Sequence, residues 1–277
     1  MPPRCEVWNW GDPDSVTMIG MNKPRLAALR PQDLEAVYGL VPGLLESVRW
    51  HVSTPYALAI GAWTGSELVG ILLAVCHASS AHLSDLYVAP TRMNEGIGTA
   101  LMEHLATTCA SDQLATQVVL AEPDHVGWFR HLGFEAQGEF IRYIGGRHVQ
   151  ATMQAVVHAE PQHWLAICHL DRKAMGEDRS IWLREHDFLA YVWQEQGRVR
   201  GFLLALAGAG LIIADHPIVG LELQRWMLPV QDHITLPAGH PEAHEHLVQQ
   251  GYRPVPACVR MVRGNPPTWR PELVFGV

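Results

Sequence analysis

The sequence predicts an α/β (α+β) fold in which one domain plan occurs twice in tandem. Three features indicate this: strand and helix patterns alternate, the second half repeats landmarks of the first, and a glycine-rich turn links a strand to a helix within residues 86–105. The chain has 277 residues, which suits two domains of ordinary size. With 48% hydrophobic and 17% charged residues, it is typical of a folded globular protein.

Strand and helix patterns follow one another along the first half. Apolar runs bounded by turn residues predict strands, and apolar residues at helical spacing predict helices. Gly65 and Ser66 predict a hairpin turn, and Gly133 ends the last helix. The predicted strands are RLAAL (25–29), YALAIGAW (56–63), ELVGILLAVCH (67–77), HLSDLYVA (82–89), QVVLAE (117–122), FEAQGEFIRYI (134–144) and HVQATMQAVV (148–157). The predicted helices are PQDLEAVYGL (31–40), GTALMEHLATTCA (98–110) and DHVGWFRHL (124–132).

The second half repeats this order in shortened form. WTGSELVGILLAV and WQEQGRVRGFLLAL share a Trp, a Gly and an apolar run, so that Gly70 corresponds to Gly201 at an offset of 131. PDHVGWFRHLGFEAQGEFIRYI matches PEAHEHLVQQGYRPVPACVRMV at an offset of 118, which pairs Gly133 with Gly251. Such self-similarity indicates an internal duplication, and chance similarity between two generic α/β segments is the alternative.

The two offsets differ by 13 residues, and the loss falls where the first half carries the glycine-rich turn. Asp215, His216 and Pro217 stand there instead. We therefore expect the second copy not to hold the same ligand, which gives one active site per chain. The expected boundaries are an N-terminal tail at 1–22, a first domain at 23–155 and a second domain at 156–277.

Charge and composition limit the classes of partner. The formal net charge of −8 disfavours non-specific nucleic-acid binding and mildly favours cationic partners such as amines. The longest apolar run, Phe202–Ala214, is shorter than the ~20 residues that span a bilayer, and residues 1–20 lack the apolar core of a signal peptide. Five cysteines without a CxxC pair indicate reduced thiols. We expect a cytoplasmic protein, monomeric or homodimeric, without nucleic-acid or membrane partners.

The stretch MNEGIGTALM places Gly96 and Gly98 at the start of a helix. Glycine lets an anion approach the backbone closely, and a helix N-terminus contributes partial positive charge. The spacing matches neither a P-loop nor the GxGxxG of a dinucleotide fold. The stretch predicts a phosphate-binding turn, and glycines that merely turn the chain are the alternative.

VAPTRMNEGIGTALM resembles the acetyl-CoA-binding motif of the GNAT (GCN5-related) family of N-acetyltransferases, which reads Arg or Gln, two residues, Gly, one residue, and Gly or Ala. Gly96 and Gly98 match it, Met93 stands at the Arg/Gln position, and Arg92 precedes it. GWFRHLGFE resembles a later element of the family, a short helix ending in Gly-Phe. The resemblance covers roughly residues 25–155, and the second half looks like the degenerate domain of tandem GNAT proteins. It implies two GNAT-like domains, each a mixed, mostly antiparallel sheet flanked by helices.

The resemblance further implies that acetyl-CoA is the cosubstrate and that the turn binds its pyrophosphate mainly through backbone N–H groups. The strand segment LYV is implied to splay from its neighbour and bind the pantetheine, with the Val88 N–H polarising the thioester carbonyl. An acid beside a pyrophosphate is unfavourable unless it faces solvent, which makes Glu95 unusual. The expected cofactor-binding residues are Leu86, Val88, Met93, Asn94, Glu95, Gly96, Ile97, Gly98, Thr99 and Phe129.

Asp85, Glu122 and Tyr87 are the expected catalytic residues. Asp85 and Tyr87 lie on one strand face because side chains alternate with period two. Asp85 would orient a cationic amine or accept its proton through water, and Glu122 ends the adjacent strand; a structural carboxylate and a loop-start acid are the respective alternatives. GNAT enzymes often carry a Tyr four residues before the Gly of the Gly-Phe element, which is Gly133 here. That position holds Phe129, which cannot protonate the leaving thiolate. Tyr87, Ser84 or water would take that role, or the thiolate would leave unprotonated.

The expected function is acetyl transfer from acetyl-CoA to a primary amine of a small molecule. The alternatives are a non-catalytic CoA-binding or scaffold protein, which Met93 and Phe129 favour, and a protein N-acetyltransferase. No metal is expected. His240 and His244 lie one helical turn apart, but a metal site needs three or four convergent ligands, so a solvated helix face is the preferred interpretation.

Overall fold

The computed structural model describes residues 23–111, 114, 116–147, 150–152, 155–229 and 231–277. The N-terminal tail predicted at 1–22 lies outside these residues. The chain forms two compact units: the first comprises the described residues up to Leu120, Asp124–Glu135 and Met261–Asn265, and the second comprises the rest. Within the described part of the chain, no helix has the length and apolar character needed to cross a membrane.

The first unit contains the strands and helices predicted for residues 25–132. Its strands lie in the order β1-β2-β3-β4-β5. Neighbours are antiparallel from β1 to β4, and β4 and β5 are parallel. The elements are β1 (Arg25–Ala28), α1 (Leu34–Leu40), α2 (Leu45–Ser53), β2 (Ala57–Thr64), β3 (Glu67–Cys76), β4 (Ser80–Val88), α3 (Ile97–Ser111), β5 (Thr116–Ala121) and α4 (Val126–His131).

Strand β3 is buried on both faces, which explains its unbroken apolar run. Ile71 and Leu73 pack with α1 and α2 in one apolar cluster. On the opposite face, Gly70 lets α3 approach closely: a Cβ at Gly70 would lie 3.0 Å from Cγ2 of Ile97, in the first turn of α3. The absence of a side chain at Gly70 therefore sets how near the start of α3 sits to the sheet.

Helix α2 was not among the predicted elements. Leu45, Val48 and Val52 carry helical spacing within it, and Val48 is fully buried. The helix packs on β2 and β3 through the same apolar cluster that contains Ile71. This element matters for the site because it brings Ser47 and His51 to the sheet.

The second unit contains a five-stranded antiparallel sheet in the order β13-β10-β9-β8-β7. In addition, β11 pairs antiparallel with β6. Its elements are β6 (Glu135–Ile144), β7 (Val156–His158), α5 (Trp164–Met175), α6 (Ser180–Arg184), β8 (Ala190–Glu195), β9 (Arg198–Leu204), β10 (Leu211–Ala214), α7 (Pro217–Met227), β11 (His233–Pro237), α8 (Pro241–Gln249), β12 (Arg253–Gly264) and β13 (Val274–Gly276). The strands β5, β6 and β12 straddle the division, since Ala121 belongs to the second unit and Glu135 and Met261–Gly264 belong to the first.

The two glycines predicted to be equivalent, Gly70 and Gly201, each allow a helix to pack close to the sheet. A Cβ at Gly201 would lie 2.6 Å from Cγ1 of Val219 in the first turn of α7, as one at Gly70 would approach Ile97. The shortening also falls where the sequence places it. The nine-residue β4 and the connection 89–96 are replaced by the four-residue β10 and the connection 215–216.

Two expectations require correction. Of the strand predicted at 148–157, the described residues 150–152 have no regular structure and β7 begins only at Val156; residues 148, 149, 153 and 154 lie outside the described residues. His240 is not on a solvated face. It precedes Pro241 as the N-cap of α8, is 4% exposed, and its ring centroid lies 4.0 Å from that of Phe275. His240 lies just before the helix, so the helical periodicity of the sequence did not predict that its side chain is buried.

A buried ion pair joins α5 to Arg179, the N-cap residue of α6, in the second unit. Nε of Arg179 donates to Oδ2 of Asp171 at 3.0 Å, and both side chains are almost fully buried. We expect Asp171→Ala to lower the free energy of unfolding by about 3–5 kcal/mol, because it leaves the Arg179 charge buried and unpaired. Denaturant unfolding measures this change.

The matched control is Asp187→Ala, which breaks the exposed Arg184–Asp187 pair at 3.4 Å. We expect a loss of at most about 1 kcal/mol there, because water screens exposed pairs. Equal losses in the two variants would contradict a special role for the buried pair.

Candidate active site

Strands β4 and β5 part along their length. Their parallel pairing joins Ser80 to Thr116, Ala81 to Gln117 and His82 to Val118, and stops there. The rest of β4, up to Val88, continues without a register partner on β5. The strand that was implied to splay does so, and it leaves a backbone edge that an extended ligand can pair with.

Leu86 and Val88 present their backbone N–H groups to this opening. The Ala89 N–H donates to the Val69 carbonyl on β3 at 2.9 Å. Backbone groups alternate sides along a strand, so the N–H groups of Tyr87 and Asp85 also face β3. Those of Leu86 and Val88 face the other way, toward the side on which β5 lies.

The glycine turn connects β4 to α3. Asn94 and Gly96 have positive φ angles of 63° and 75°. A Cβ added at Gly96 would meet no atom within 4 Å, so the backbone angle rather than crowding calls for glycine. The first helical hydrogen bond runs from the Ala100 N–H to the Gly96 carbonyl at 2.9 Å. The N–H groups of Ile97, Gly98 and Thr99 therefore lack acceptors within the helix.

The charged side chains beside the turn, Arg92 and Glu95, form an ion pair. Nε of Arg92 donates to Oε2 of Glu95 at 2.7 Å, and its Nη2 contacts the Thr64 hydroxyl at 3.3 Å. The Arg92 guanidinium thus neutralises the Glu95 carboxylate beside the glycine turn. Met93 is half-buried and Ile97 is 3% exposed, which anchors the turn to the core.

Asp85 and Tyr87 share the face of β4 that looks toward α2. Tyr87 is 7% exposed and belongs to the apolar cluster with Val48 and Ile71. Asp85 is half-buried, and its Oδ2 lies 3.4 Å from the Ser47 hydroxyl that donates to it. Burial raises the pKa of Asp85 above its ordinary value, and the Ser47 hydrogen bond partly opposes this.

A polar cluster on α2 and β4 includes groups that the sequence did not single out. His51 is 5% exposed; its Nδ1 lies 2.7 Å from the Ser47 carbonyl and its Nε2 lies 3.4 Å from the Ser84 hydroxyl. Burial lowers the pKa of His51. The i, i+4 spacing of Ser47 and His51 on an amphipathic helix was the available signal.

Phe129 and Glu122 are carried by other elements. The Phe129 ring is 5% exposed and packs against Phe134, with ring centroids 5.3 Å apart. Arg263, whose Nη1 donates to the Leu132 carbonyl at 3.0 Å, fixes the end of the short helix that carries Phe129. Glu122 is half-buried just after β5, in the segment Ala121–Pro123 of the second unit.

The second unit fills the corresponding helix N-terminus with its own side chains. Nδ1 of His216 accepts the Ile218 N–H of α7 at 3.2 Å. The adjacent Asp215 carboxylate is 2.7 Å from Nε of Arg200. An anion would meet a capped helix and a resident carboxylate there, which supports the expectation of a single site.

The splayed strand, glycine turn and helix together have the architecture of an acetyltransferase domain. Two family models, both described as acetyltransferase (GNAT) domain, match residues 28–155 and 167–276. The chain therefore belongs to the GNAT acetyltransferase family and carries two of its domains in tandem. The predicted fold class and family are confirmed.

Solved structures share this fold over most of the chain. A protein of Pyrococcus horikoshii provisionally assigned as an acetyltransferase is 21% identical, with a TM-score of 0.75 covering 95% of this chain and 96% of that one. A tandem GNAT protein from the clavulanic acid biosynthesis pathway is 14% identical, with a TM-score of 0.57. The match covers 87% of this chain and 98% of that one. At these identities the likeness concerns the fold alone.

Curated relatives match a shorter stretch. The histone acetyltransferase TAP1 of Glycine max is 34% identical over 77 residues, which are 27% of this chain and 33% of that protein. TAP2 of the same plant, provisionally assigned as an acetyltransferase, is also 34% identical over 77 residues, which are 27% of this chain and 31% of that protein. The chain thus spans about a third of the length of the curated relatives it matches.

Proposed function

We propose that the chain transfers the acetyl group of acetyl-CoA to a primary amine of a small molecule, by direct attack in a ternary complex. The observation that carries this proposal is the opening beside β4, which ends at a glycine turn and the N-terminus of α3. The pantetheine pairs with Leu86 and Val88. The pyrophosphate accepts hydrogen bonds from the backbone N–H groups of residues 93–99, where the helix dipole favours negative charge.

The reaction needs an electrophile and a positioned amine. The Val88 N–H polarises the thioester carbonyl and stabilises the oxyanion as the amine nitrogen attacks. Asp85, in its position beside Ser47, holds the cationic amine before the attack, and a bound cation favours the ionised carboxylate despite its burial. The catalytic role predicted for Glu122, which belongs to the second unit, stays a prediction from the sequence.

Protein N-acetylation is the second candidate function, because the curated relative TAP1 is a histone acetyltransferase. Isothermal titration with acetyl-CoA tests the cofactor. A thiol-release assay with small amines and with lysine-containing peptides then tests the acceptor. No binding would refute acetyl transfer altogether, release with peptides alone would favour protein acetylation, and binding without release would indicate a non-catalytic CoA-binding protein.

Phe129→Tyr restores a hydroxyl where GNAT enzymes often carry one. We expect the variant to raise kcat by about tenfold, a modest part of the 10²–10⁴-fold that a general acid contributes, because the thiolate would then leave with a proton. The kcat from thiol release measures the effect.

Phe134→Tyr is the control for this change. It adds the same hydroxyl to the neighbouring ring, which is 2% exposed, and we expect no gain in kcat. An unchanged kcat in Phe129→Tyr would show that protonation of the thiolate does not limit turnover.

A further inference from the structure

A bulge in β4 turns two consecutive side chains toward α2. Leu73 of β3 pairs with Asp85 and the next residue, Ala74, pairs with Leu83, so Ser84 is the extra residue. Ordinary strand alternation would send the two side chains to opposite faces, but a bulge re-aims them. Ser84 reaches His51 and Asp85 reaches Ser47, and these two partners lie one helical turn apart on α2.

The hydrogen bonds fix the tautomer of a neutral His51. Its Nδ1 is 2.7 Å from the Ser47 carbonyl oxygen, which can only accept, so Nδ1 carries the hydrogen. Nε2 then has a lone pair directed at the Ser84 hydroxyl 3.4 Å away. A base held by a third group and in reach of a hydroxyl is the arrangement that accepts a proton from that hydroxyl.

The surroundings keep His51 neutral. Burial lowers its pKa below the ordinary 6.5, and the hydrogen bond to the Ser47 carbonyl only partly offsets this. The elements α1, β2 and β3 face α2 with apolar side chains such as Val37, Ala59 and Ile71. From β4, Asp85 and Tyr87 are the ionisable groups on the face toward α2, and Asp85 is hydrogen-bonded to Ser47.

Ser84 connects this buried base to the opening. His51 is 5% exposed, whereas Ser84 is exposed and comes two residues after His82, where the pairing of β4 with β5 ends. It precedes Leu86 and Val88, whose N–H groups face that opening. Ser84 is thus the solvent-exposed partner of the buried imidazole and lies on the strand that borders the opening.

We propose that Ser84 and His51 form the proton relay of the acetyl transfer, an inference that rests on the proposed function. The ammonium held by Asp85 first releases one proton to water. The neutral nitrogen then forms a bond to the thioester carbon, the carbon–sulfur bond breaks, and CoA leaves as the thiolate with the electron pair. The proton lost by the nitrogen passes to Oγ of Ser84 while the Ser84 proton passes to Nε2 of His51. The imidazolium then releases a proton to water through Ser84. Asp85 holds the amine, and His51 takes its proton.

The test compares His51→Gln with the parent chain in the thiol-release assay. We expect kcat to fall at least about 100-fold, as for loss of a general base, with an unchanged Kd for acetyl-CoA. The parent kcat declines as pH falls through the His51 pKa, below 6.5, because the protonated ring cannot accept a proton. This decline disappears in His51→Gln. Ser84→Ala also lowers kcat, whereas Ser84→Thr, which keeps the hydroxyl, restores kcat to the parental value.

The control is His186→Gln in the second unit. His186 also places Nδ1 near the carbonyl four residues earlier, 3.1 Å from Trp182 O, and burial lowers its pKa as well. We expect the kcat of His186→Gln to stay at the parental value. If the parent chain is active and His51→Gln leaves its kcat and pH profile unchanged, the relay is overturned and the proposed function is not. A parent that binds acetyl-CoA and acetylates no amine overturns the proposed function and the relay with it.

Discussion

A Gly96→Asp variant is expected to lose about a thousandfold in affinity for acetyl-CoA. The new carboxylate would stand at the turn before α3, where the pyrophosphate is proposed to bind. Two unit charges about 4 Å apart repel by about 4 kcal/mol at the effective dielectric of a protein surface, and every 1.4 kcal/mol is a tenfold change in Kd. Isothermal titration with acetyl-CoA measures the loss.

Gly197→Asp separates charge from backbone strain. Gly197 has a φ of 76°, against 75° for Gly96, and neither has an atom within 4 Å of an added Cβ. Both variants therefore carry the same conformational cost, but Gly197 lies in the hairpin between β8 and β9. We expect the control to keep parental affinity. Retained affinity in Gly96→Asp would move the pyrophosphate away from this turn.

Asp85→Asn is expected to raise the KM for a cationic amine by about 10- to 100-fold, since hydrogen bonds to charged groups contribute about 1.5–3 kcal/mol. Asparagine has the same shape and keeps an oxygen to accept the Ser47 hydroxyl, so the fold and the affinity for acetyl-CoA should not change. Steady-state kinetics over a range of amine concentrations measure the effect.

An acceptor that is uncharged at the assay pH, such as hydroxylamine, is the control for Asp85. Its KM should be insensitive to Asp85→Asn, because no cation is lost. Glu122→Gln in parallel shows which carboxylate meets the amine. A fall in kcat at constant KM would instead make Asp85 the base and would argue against His51 in that role.

Much of the fold was predictable from the sequence, because its signals are local. Apolar runs bounded by turn residues define β2 to β6, and glycines with positive φ lie in several of the turns. The duplication was also legible, since Gly70 and Gly201 both admit a helix close to the sheet, and that constraint excludes a side chain at either position. In the segment predicted as a strand at 148–157, residues 150–152 have no regular structure, whereas Val156 and Val157 pair with Trp193 and Val192 of β8.

The candidate site divides in the same way. The glycine turn was visible because its chemistry resides in the backbone of one continuous segment. His51 and Ser84 were not joined by any pattern, because they lie 33 residues apart and meet through a bulge in β4. Glu95 was a puzzle in the sequence and is explained only by the Arg92 side chain that reaches it.

The sequence by itself determined the family, the repeat and the position of the glycine turn, since each depends on residues that are neighbours in the chain. The tertiary structure decided where β4 leaves β5, which N–H groups face the opening, and which titratable side chains gather on α2. Those features arise from strand register and helix packing. They bring together groups from distant segments, and burial then sets the direction of their pKa shifts.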